Sequence, residues 1–165
     1  MKTVKSAMVY DAFFCEGCRH YDHRGYFQEL FSQKHLPHFK VTQINCSVSQ
    51  RNVLRGLHVA PFAKLVCCVK GAIFDVVADM RKDSKTYLKY DGIILNEHNE
   101  KAIYIPQGCG HGFLALEDSV VVYAQDGTYN PDLESIVNYA DPKLAIKWPF
   151  VILSEKDANA SYVKS

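Results

Sequence analysis

Three basic side chains lie close together near the middle of the chain. Arg55, His58 and Lys64 occupy ten residues between apolar, β-branched runs. Two cations can bind an anion such as a diphosphate or stabilise an oxyanion, and an imidazole exchanges protons near neutral pH. An isolated histidine would more often belong to the core, but a core seldom carries three such groups together. The segment therefore predicts a site that binds an anion and transfers protons.

A second histidine follows a turn motif. The sequence PQGCGH, residues 106–111, places His111 at the start of a predicted strand over residues 113–116, because proline and glycine favour a tight turn. The motif resembles the second motif of cupin barrels, whose first motif supplies His-x-His to a metal. Here the corresponding residues are His58-Val59-Ala60, which lack the second histidine. We therefore expect no metal and no other cofactor, but proton chemistry.

Two further residues have ordinary interpretations when taken alone. Tyr123 lies on a predicted strand over residues 120–124, and buried tyrosines are common in strands. Asp157 lies in a predicted short helix over residues 154–160, at the N3 position after Ser154 as the N-cap. Spacing by itself gives neither residue a chemical role.

The elements that must position these residues are short strands. Turn residues recur about every eight to twelve residues, which is typical of a β-sandwich or barrel. Strands are predicted over residues 3–10, 41–49, 53–59, 64–69, 72–81, 87–95, 101–105, 113–116 and 120–124. Residues 11–25 are expected to be irregular, and residues 32–39 to form a short helix or turn broken at Pro37. We expect one all-β domain over residues 1–165.

Composition excludes several classes of function. The chain has 19 basic and 18 acidic residues, so it offers neither the basic field of a nucleic-acid-binding protein nor a polybasic membrane-binding run. Its N-terminus lacks the apolar region of a signal peptide, and no run reaches the roughly 18 apolar residues of a membrane span. We expect a cytoplasmic protein that binds neither nucleic acid nor membrane.

The six cysteines are expected to be reduced. Cys15 and Cys18 have the spacing of metal ligands, but a structural zinc needs four ligands and no second pair is present. We interpret this segment as a loop with two free thiols. Cys67 and Cys68 are adjacent in a predicted strand, and we interpret them as core residues that point to opposite faces.

Several motifs, taken in order, resemble one enzyme family over nearly the whole chain, from about residue 21 to residue 158. They are DHRGYFQELF, NVLRGLH, KLVCCVKGAIFDVVADMRKDS, YIPQGCGHGFLAL, ADPKLAIKWP and LSEKDA. The chain thus resembles the dTDP-4-dehydrorhamnose 3,5-epimerase family of metal-free cupin sugar epimerases. The resemblance implies an all-β cupin jelly-roll barrel with short peripheral helices, and a homodimer that exchanges N-terminal strands. It also implies a nucleotide-diphosphate 4-keto-6-deoxy sugar as substrate, epimerised at C3, at C5 or at both.

The resemblance also implies roles for individual residues. His58 would be the base, Asp157 its dyad partner, and Tyr123 the acid on the opposite face of the sugar. Lys64 would stabilise the enolate oxygen. The residues implied to bind substrate are Arg24, Phe27, Gln43, Asn45, Arg55, His111, Tyr129 and Lys156. Of these, the first two are expected to serve the neighbouring subunit.

Some positions depart from the family pattern and leave alternatives open. Lys64 follows His58 sooner than is usual, and Thr128 replaces the first tyrosine of an aromatic pair. These changes fit a 3-epimerase or a 5-epimerase that acts on one carbon. A cupin 3,4-ketoisomerase and a catalytically silent sugar-nucleotide-binding cupin are the other candidates. The RGLH and LSEKD motifs, with Tyr123, favour the epimerase.

Overall fold

Most of the chain forms antiparallel strands. The computed structural model describes residues 2–164. Its elements are β1 (Lys2–Lys5), β2 (Phe13–Glu16), β3 (Arg19–Asp22), β4 (Gly25–Gln28), β5 (Gln43–Ser49), β6 (Leu54–Val59), β7 (Lys64–Lys70), β8 (Ala72–Asp79), β9 (Tyr90–Asn96), β10 (Lys101–Ile105), β11 (Cys109–Ala115), β12 (Ser119–Gln125), β13 (Ser135–Ile136) and α1 (Glu155–Ala158). Among the described residues, no helix is long and apolar enough to cross a membrane.

Two large sheets build the fold. The six-stranded sheet has the order β1-β2-β10-β7-β12-β5, and the five-stranded sheet has the order β13-β6-β11-β8-β9. Strands β3 and β4 form a separate two-stranded hairpin. Because chain neighbours are distributed between the two sheets, the strands cross over as in a jelly roll. The predicted all-β, cupin-like jelly roll is confirmed.

The core lies between the two large sheets. Val66 of β7 and Ile103 of β10 pack in one cluster with Val77 of β8 and Phe113 of β11. Each aliphatic side chain of this kind contributes about 1.5–3 kcal/mol when it is fully buried. Lys64 shares the inward face of β7 with Val66, and His111 shares the inward face of β11 with Phe113, so both line the cavity described below.

The N-terminal region departs from the sequence prediction. The first strand is β1 alone, and residues 11–25, which were expected to be irregular, contain β2 and β3. Strand β2 pairs with β1 on one side and with β10 on the other. Its four residues are too few to show alternation clearly, and polar residues flank them. The sequence pattern therefore lacked the period that marks a strand.

The strand that carries His111 is also longer than predicted. It begins at Cys109, so His111 lies inside β11 rather than before it. Position 112 of this strand requires glycine, because a Cβ there would lie 2.8 Å from the carbonyl oxygen of Arg55. Gly56, on the β6 side of this contact, has a φ of 121°, and a Cβ there would likewise lie too close to the backbone of β11. The two glycines permit a close approach of β6 and β11, which sets His58 and His111 opposite each other.

All six cysteines are free thiols. Cys67 and Cys68 are buried in two different clusters on opposite faces of β7, as predicted. Burial raises the pKa of Cys67 to about 12, so this thiol stays protonated. The interpretation of residues 15–18 as a loop is wrong in part, because Cys15 is buried in β2 while Cys18 is exposed.

Candidate active site

A cavity of about 560 Å³ is lined by strands of both large sheets and by residues 152–157. Ten of the twelve predicted site residues line it. They are Gln43, Asn45, Arg55, His58, Lys64, His111, Tyr123, Tyr129, Lys156 and Asp157. The fold thus brings together side chains that are spread over more than a hundred positions of the sequence.

His58 projects from β6 and forms a dyad with Asp157. Its Nε2 lies 2.9 Å from Asp157 Oδ1. Helix α1 fixes the carboxylate, because the Asp157 backbone N–H donates to Ser154 Oγ at 3.1 Å, which is the predicted N-cap. Asp157 is 5% exposed. Because a carboxylate accepts, Nε2 carries a proton, and Nδ1 is the ring atom that can act as a base.

Glu134 approaches the other nitrogen of the same ring. Its Oε2 lies 3.0 Å from His58 Nδ1, and its side chain is 5% exposed. Strand β13 brings it there, since Ile136 pairs with His58. Sequence reasoning missed this residue, because an acidic residue in the loop after Pro131 has no distinctive spacing.

The two carboxylates control the charge of His58. Burial alone would lower the pKa of His58, but the contacts with Asp157 and Glu134 outweigh burial and raise that pKa above its ordinary value. Burial would likewise raise the pKa of each carboxyl, but His58 holds the pKa of Asp157 and of Glu134 below the usual range. Without substrate, the site therefore favours a protonated ring between two anions.

Lys64 and Tyr123 approach the cavity from the six-stranded sheet. Lys64, on β7, is 6% exposed, and burial lowers its pKa although the charges of Glu134 and Asp75 partly compensate. Burial raises the pKa of Tyr123, and the charge of Glu134 adds to this effect. Tyr123 therefore holds its phenolic proton firmly at neutral pH, as an acid catalyst must before it reacts.

A chain of amide hydrogen bonds lines one wall. Gln43 Nε2 donates to Asn45 Oδ1 at 2.6 Å, and Asn45 Nδ2 donates to Gln125 Oε1 at 3.1 Å. The Tyr129 backbone N–H donates to Gln43 Oε1 at 2.9 Å. Gln43 and Asn45 share a face of β5 because side chains alternate along a strand. The amides thereby position the half-exposed ring of Tyr129 at the cavity.

Two further basic residues are held by defined partners. The guanidinium of Arg55 donates to Ser49 Oγ and to the Val48 carbonyl, both at 3.0 Å. His111 Nε2 lies 3.0 and 3.1 Å from the two carboxylate oxygens of Asp75, which is 0% exposed. Asp75, on β8, was not predicted from sequence, because a lone aspartate in an apolar strand shows no partner. It fixes the imidazole of His111 beside His58.

Arg24 and Phe27 lie outside the cavity. Both belong to the hairpin of β3 and β4, where Phe27 is 69% exposed and Arg24 pairs with Asp22 at 2.6 Å. Within one chain, the structure does not bring them to the other ten residues. Their expected service to a neighbouring subunit stays a prediction.

The assembled groups suit proton transfer beside a developing oxyanion. They comprise a base oriented by a carboxylate, a phenol, a buried ammonium group and a guanidinium. Within residues 2–164, no group of three His, Cys, Asp or Glu residues is arranged to hold a metal ion.

Comparisons with known proteins point to one family. The family model described as dTDP-4-dehydrorhamnose 3,5-epimerase matches residues 6–165. The protein of that name from Mycobacterium tuberculosis is 42% identical over 156 residues, which cover 86% of this chain and 77% of the relative.

Solved structures agree with this match. One is a dTDP-6-deoxy-D-glucose-3,5-epimerase from Legionella pneumophila in complex with dTDP-4-keto-L-rhamnose, with a TM-score of 0.92 and 35% identity over 98% of this chain and 92% of that one. Another is a 3'-monoepimerase from Streptomyces bikiniensis in complex with dTDP-quinovose, with a TM-score of 0.91 and 34% identity over 96% and 87% of the two chains.

Proposed function

The chain belongs to the dTDP-4-dehydrorhamnose 3,5-epimerase family, and from this membership we propose that it inverts C3, C5 or both in a dTDP-linked 4-keto-6-deoxy sugar. The single observation that carries the proposal is the dyad of His58 and Asp157, which shares one cavity with Tyr123. A silent binding protein would have no need of this combination of base and acid.

The reaction begins with removal of a ring proton. A 4-keto group acidifies the hydrogens on the neighbouring carbons, because the carbanion is stabilised as an enolate. His58 Nδ1 accepts such a proton while Asp157 holds Nε2–H and stabilises the imidazolium that forms. Lys64, buried at the cavity, donates to the enolate oxygen, where negative charge develops.

Inversion requires a proton from the other face of the ring. Tyr123 lies on β12 in the six-stranded sheet, whereas His58 lies on β6 in the five-stranded sheet. A sugar held between the sheets would meet the base on one face and the phenol on the other. Tyr123 then donates its proton to the carbon, and the configuration is reversed.

Other residues at the cavity bind the substrate in this proposal. Arg55 pairs with the diphosphate, because a guanidinium recognises phosphate oxygens well. Gln43 and Asn45 contact the nucleotide, and Tyr129 stacks on its base. The ligands named for the two solved relatives carry dTDP, which supports a thymidine nucleotide here.

His111 and Lys156 complete the binding site in this proposal. The imidazole of His111, oriented by Asp75, lies beside the sugar. The ammonium group of Lys156, which lines the cavity and is 55% exposed, adds a positive charge that attracts the substrate.

A homodimer is part of the proposal. Strand β5 is an edge of its sheet, and Ile44 and Val48 on its outer face are 66% and 70% exposed. Phe27 of the projecting hairpin is also exposed. Uncovered edges and apolar side chains favour pairing with a second copy. In such a dimer, Arg24 and Phe27 would contribute to the nucleotide site of the neighbouring subunit.

Proton exchange with solvent tests this function. The protein is incubated with a dTDP-linked 4-keto-6-deoxyhexose in deuterated water, and the sugar is followed by proton NMR. We expect loss of the C3 signal, the C5 signal or both, with the appearance of an epimer. If the 3-keto isomer accumulates instead, with the C3 hydrogen lost, a new hydrogen at C4 and no exchange at C5, the chain is a ketoisomerase and the proposal is wrong.

A further inference from the structure

Glu134 is a buried carboxylate that the steps above do not use. Its side chain is 5% exposed, and its Oε2 lies 3.0 Å from His58 Nδ1. Within residues 2–164, Oε2 has no hydrogen-bond partner other than this ion-pair contact with His58. The negative charge of this buried carboxylate is thus balanced mainly by the ring of His58. The two groups are therefore placed to exchange a proton.

Glu134 interacts with residues on both sides of the cavity. Its Oε2 lies 3.9 Å from Lys156 Nζ, and its charge acts on Lys64 and on Tyr123. All of these side chains line the same cavity. Glu134 therefore contacts the proposed base directly and influences the proposed acid.

The proposed chemistry creates a need for such a group. Each inversion breaks a C–H bond and forms N–H at His58 Nδ1, while the Tyr123 O–H breaks and a new C–H forms on the other face. The site is left with an imidazolium and a phenolate. Neither a second inversion nor the next turnover can start until the proton on Nδ1 has left and Tyr123 has regained one.

Asp157 is poorly placed to remove that proton. It is bonded to Nε2 rather than to Nδ1, and Ser154 and helix α1 hold it in that position. Glu134 faces the correct nitrogen. Its Oε2 can receive the proton without rotation of the imidazole ring.

We propose that Glu134 is the proton-return group of this site, an inference that rests on the proposed function. The Nδ1–H bond breaks, an O–H bond forms at Oε2, and Glu134 passes this proton to solvent in the cavity. Solvent supplies one proton to the phenolate of Tyr123. One proton leaves and one enters, so the site returns to its starting state with no other reactant.

The test is a pre-steady-state measurement on Glu134→Gln, which keeps the shape of the side chain but cannot take up a proton. Wild-type and variant are mixed with the dTDP-linked 4-keto sugar in deuterated water, and exchange is counted per active site. We expect the variant to complete one rapid exchange and then to slow by about 10²-fold. The slow phase should accelerate as formate or imidazole is added. Asp132→Asn removes an exposed charge from the same loop and should behave like wild-type.

Other outcomes overturn the inference. If Glu134→Gln only raises KM, with no rapid first exchange, Glu134 binds substrate and returns no proton. Wild-type rates in the variant, or a slow phase that added buffer does not change, contradict the relay as well. Absence of exchange in the wild-type protein would instead overturn the proposed function, and the relay with it.

Discussion

His58 Nε2 lies 2.9 Å from Asp157 Oδ1, although the two residues are 99 positions apart in the sequence. The bond joins strand β6 to the four-residue helix α1 near the end of the chain. It decides which nitrogen of His58 is available as a base.

Replacing Asp157 by asparagine should slow the reaction and change its pH dependence. His58 must be neutral to accept a proton, so kcat/KM should rise with pH through the raised pKa of His58. Removing one of the two carboxylates lowers this pKa, and the rising limb should therefore move to lower pH. We expect kcat to fall by about 10²-fold. A pH profile of kcat/KM for both proteins measures the shift, and an unmoved limb would show that Asp157 does not act on His58.

Replacing Lys64 by methionine should affect the chemical step. The ammonium group is proposed to stabilise the enolate oxygen, and loss of one such donor typically costs about 10²–10³-fold in kcat. Methionine fills similar space in the buried position, so folding should be preserved. Lys70→Met, at the exposed end of the same strand, is the matched control. Steady-state kinetics would contradict the role of Lys64 if its variant matched that control.

Loss of Asp75 should destabilise the protein. Asp75 is 0% exposed and lies within 3.1 Å of His111 Nε2 through both oxygens. Asp75→Ala leaves the imidazole N–H without its partner, so the free energy of unfolding should fall by about 1–3 kcal/mol. Urea denaturation measures this difference, with Asp83→Ala, on the exposed surface, as the control. Equal stability of the two variants would mean that the pair contributes nothing.

Replacing Phe27 by aspartate tests the dimer. Phe27 is 69% exposed in one chain, so a monomeric protein should tolerate the change. In the proposed dimer it should weaken both association and dTDP binding, because the hairpin serves the neighbouring subunit. Light scattering after gel filtration gives the mass, and calorimetry gives the affinity for dTDP. Tyr162→Asp, at another exposed aromatic, is the control, and a wild-type mass and affinity for Phe27→Asp would refute the exchange.

Local patterns in the sequence were sufficient for part of this site. Alternation predicted the strand that sets Gln43 and Asn45 on one face, and the position of Ser154 predicted the cap that holds Asp157. Contacts between distant segments had no such local signal. Glu134 and Asp75 approach the two histidines only because β13 and β8 pair beside them. Pairing between strands far apart in sequence depends on the packing of the whole sheet.

The resemblance to a family supplied what the patterns could not. Tyr123 read alone is an ordinary buried tyrosine, and the structure places it in the same cavity as His58. Arg24 and Phe27 lie on an exposed hairpin outside the cavity. In the proposed dimer their contacts would be with a second copy, so neither the sequence pattern nor one folded chain can test their role.

The central claim is that His58 and Tyr123 act on opposite faces of the sugar. The most direct test follows deuterium and configuration at the same carbon in His58→Asn and Tyr123→Phe, beside the wild-type protein. We predict that His58→Asn exchanges no ring proton, while Tyr123→Phe exchanges protons but returns deuterium with the original configuration. Inversion by Tyr123→Phe at the wild-type rate, or exchange by His58→Asn, would contradict the two-face account.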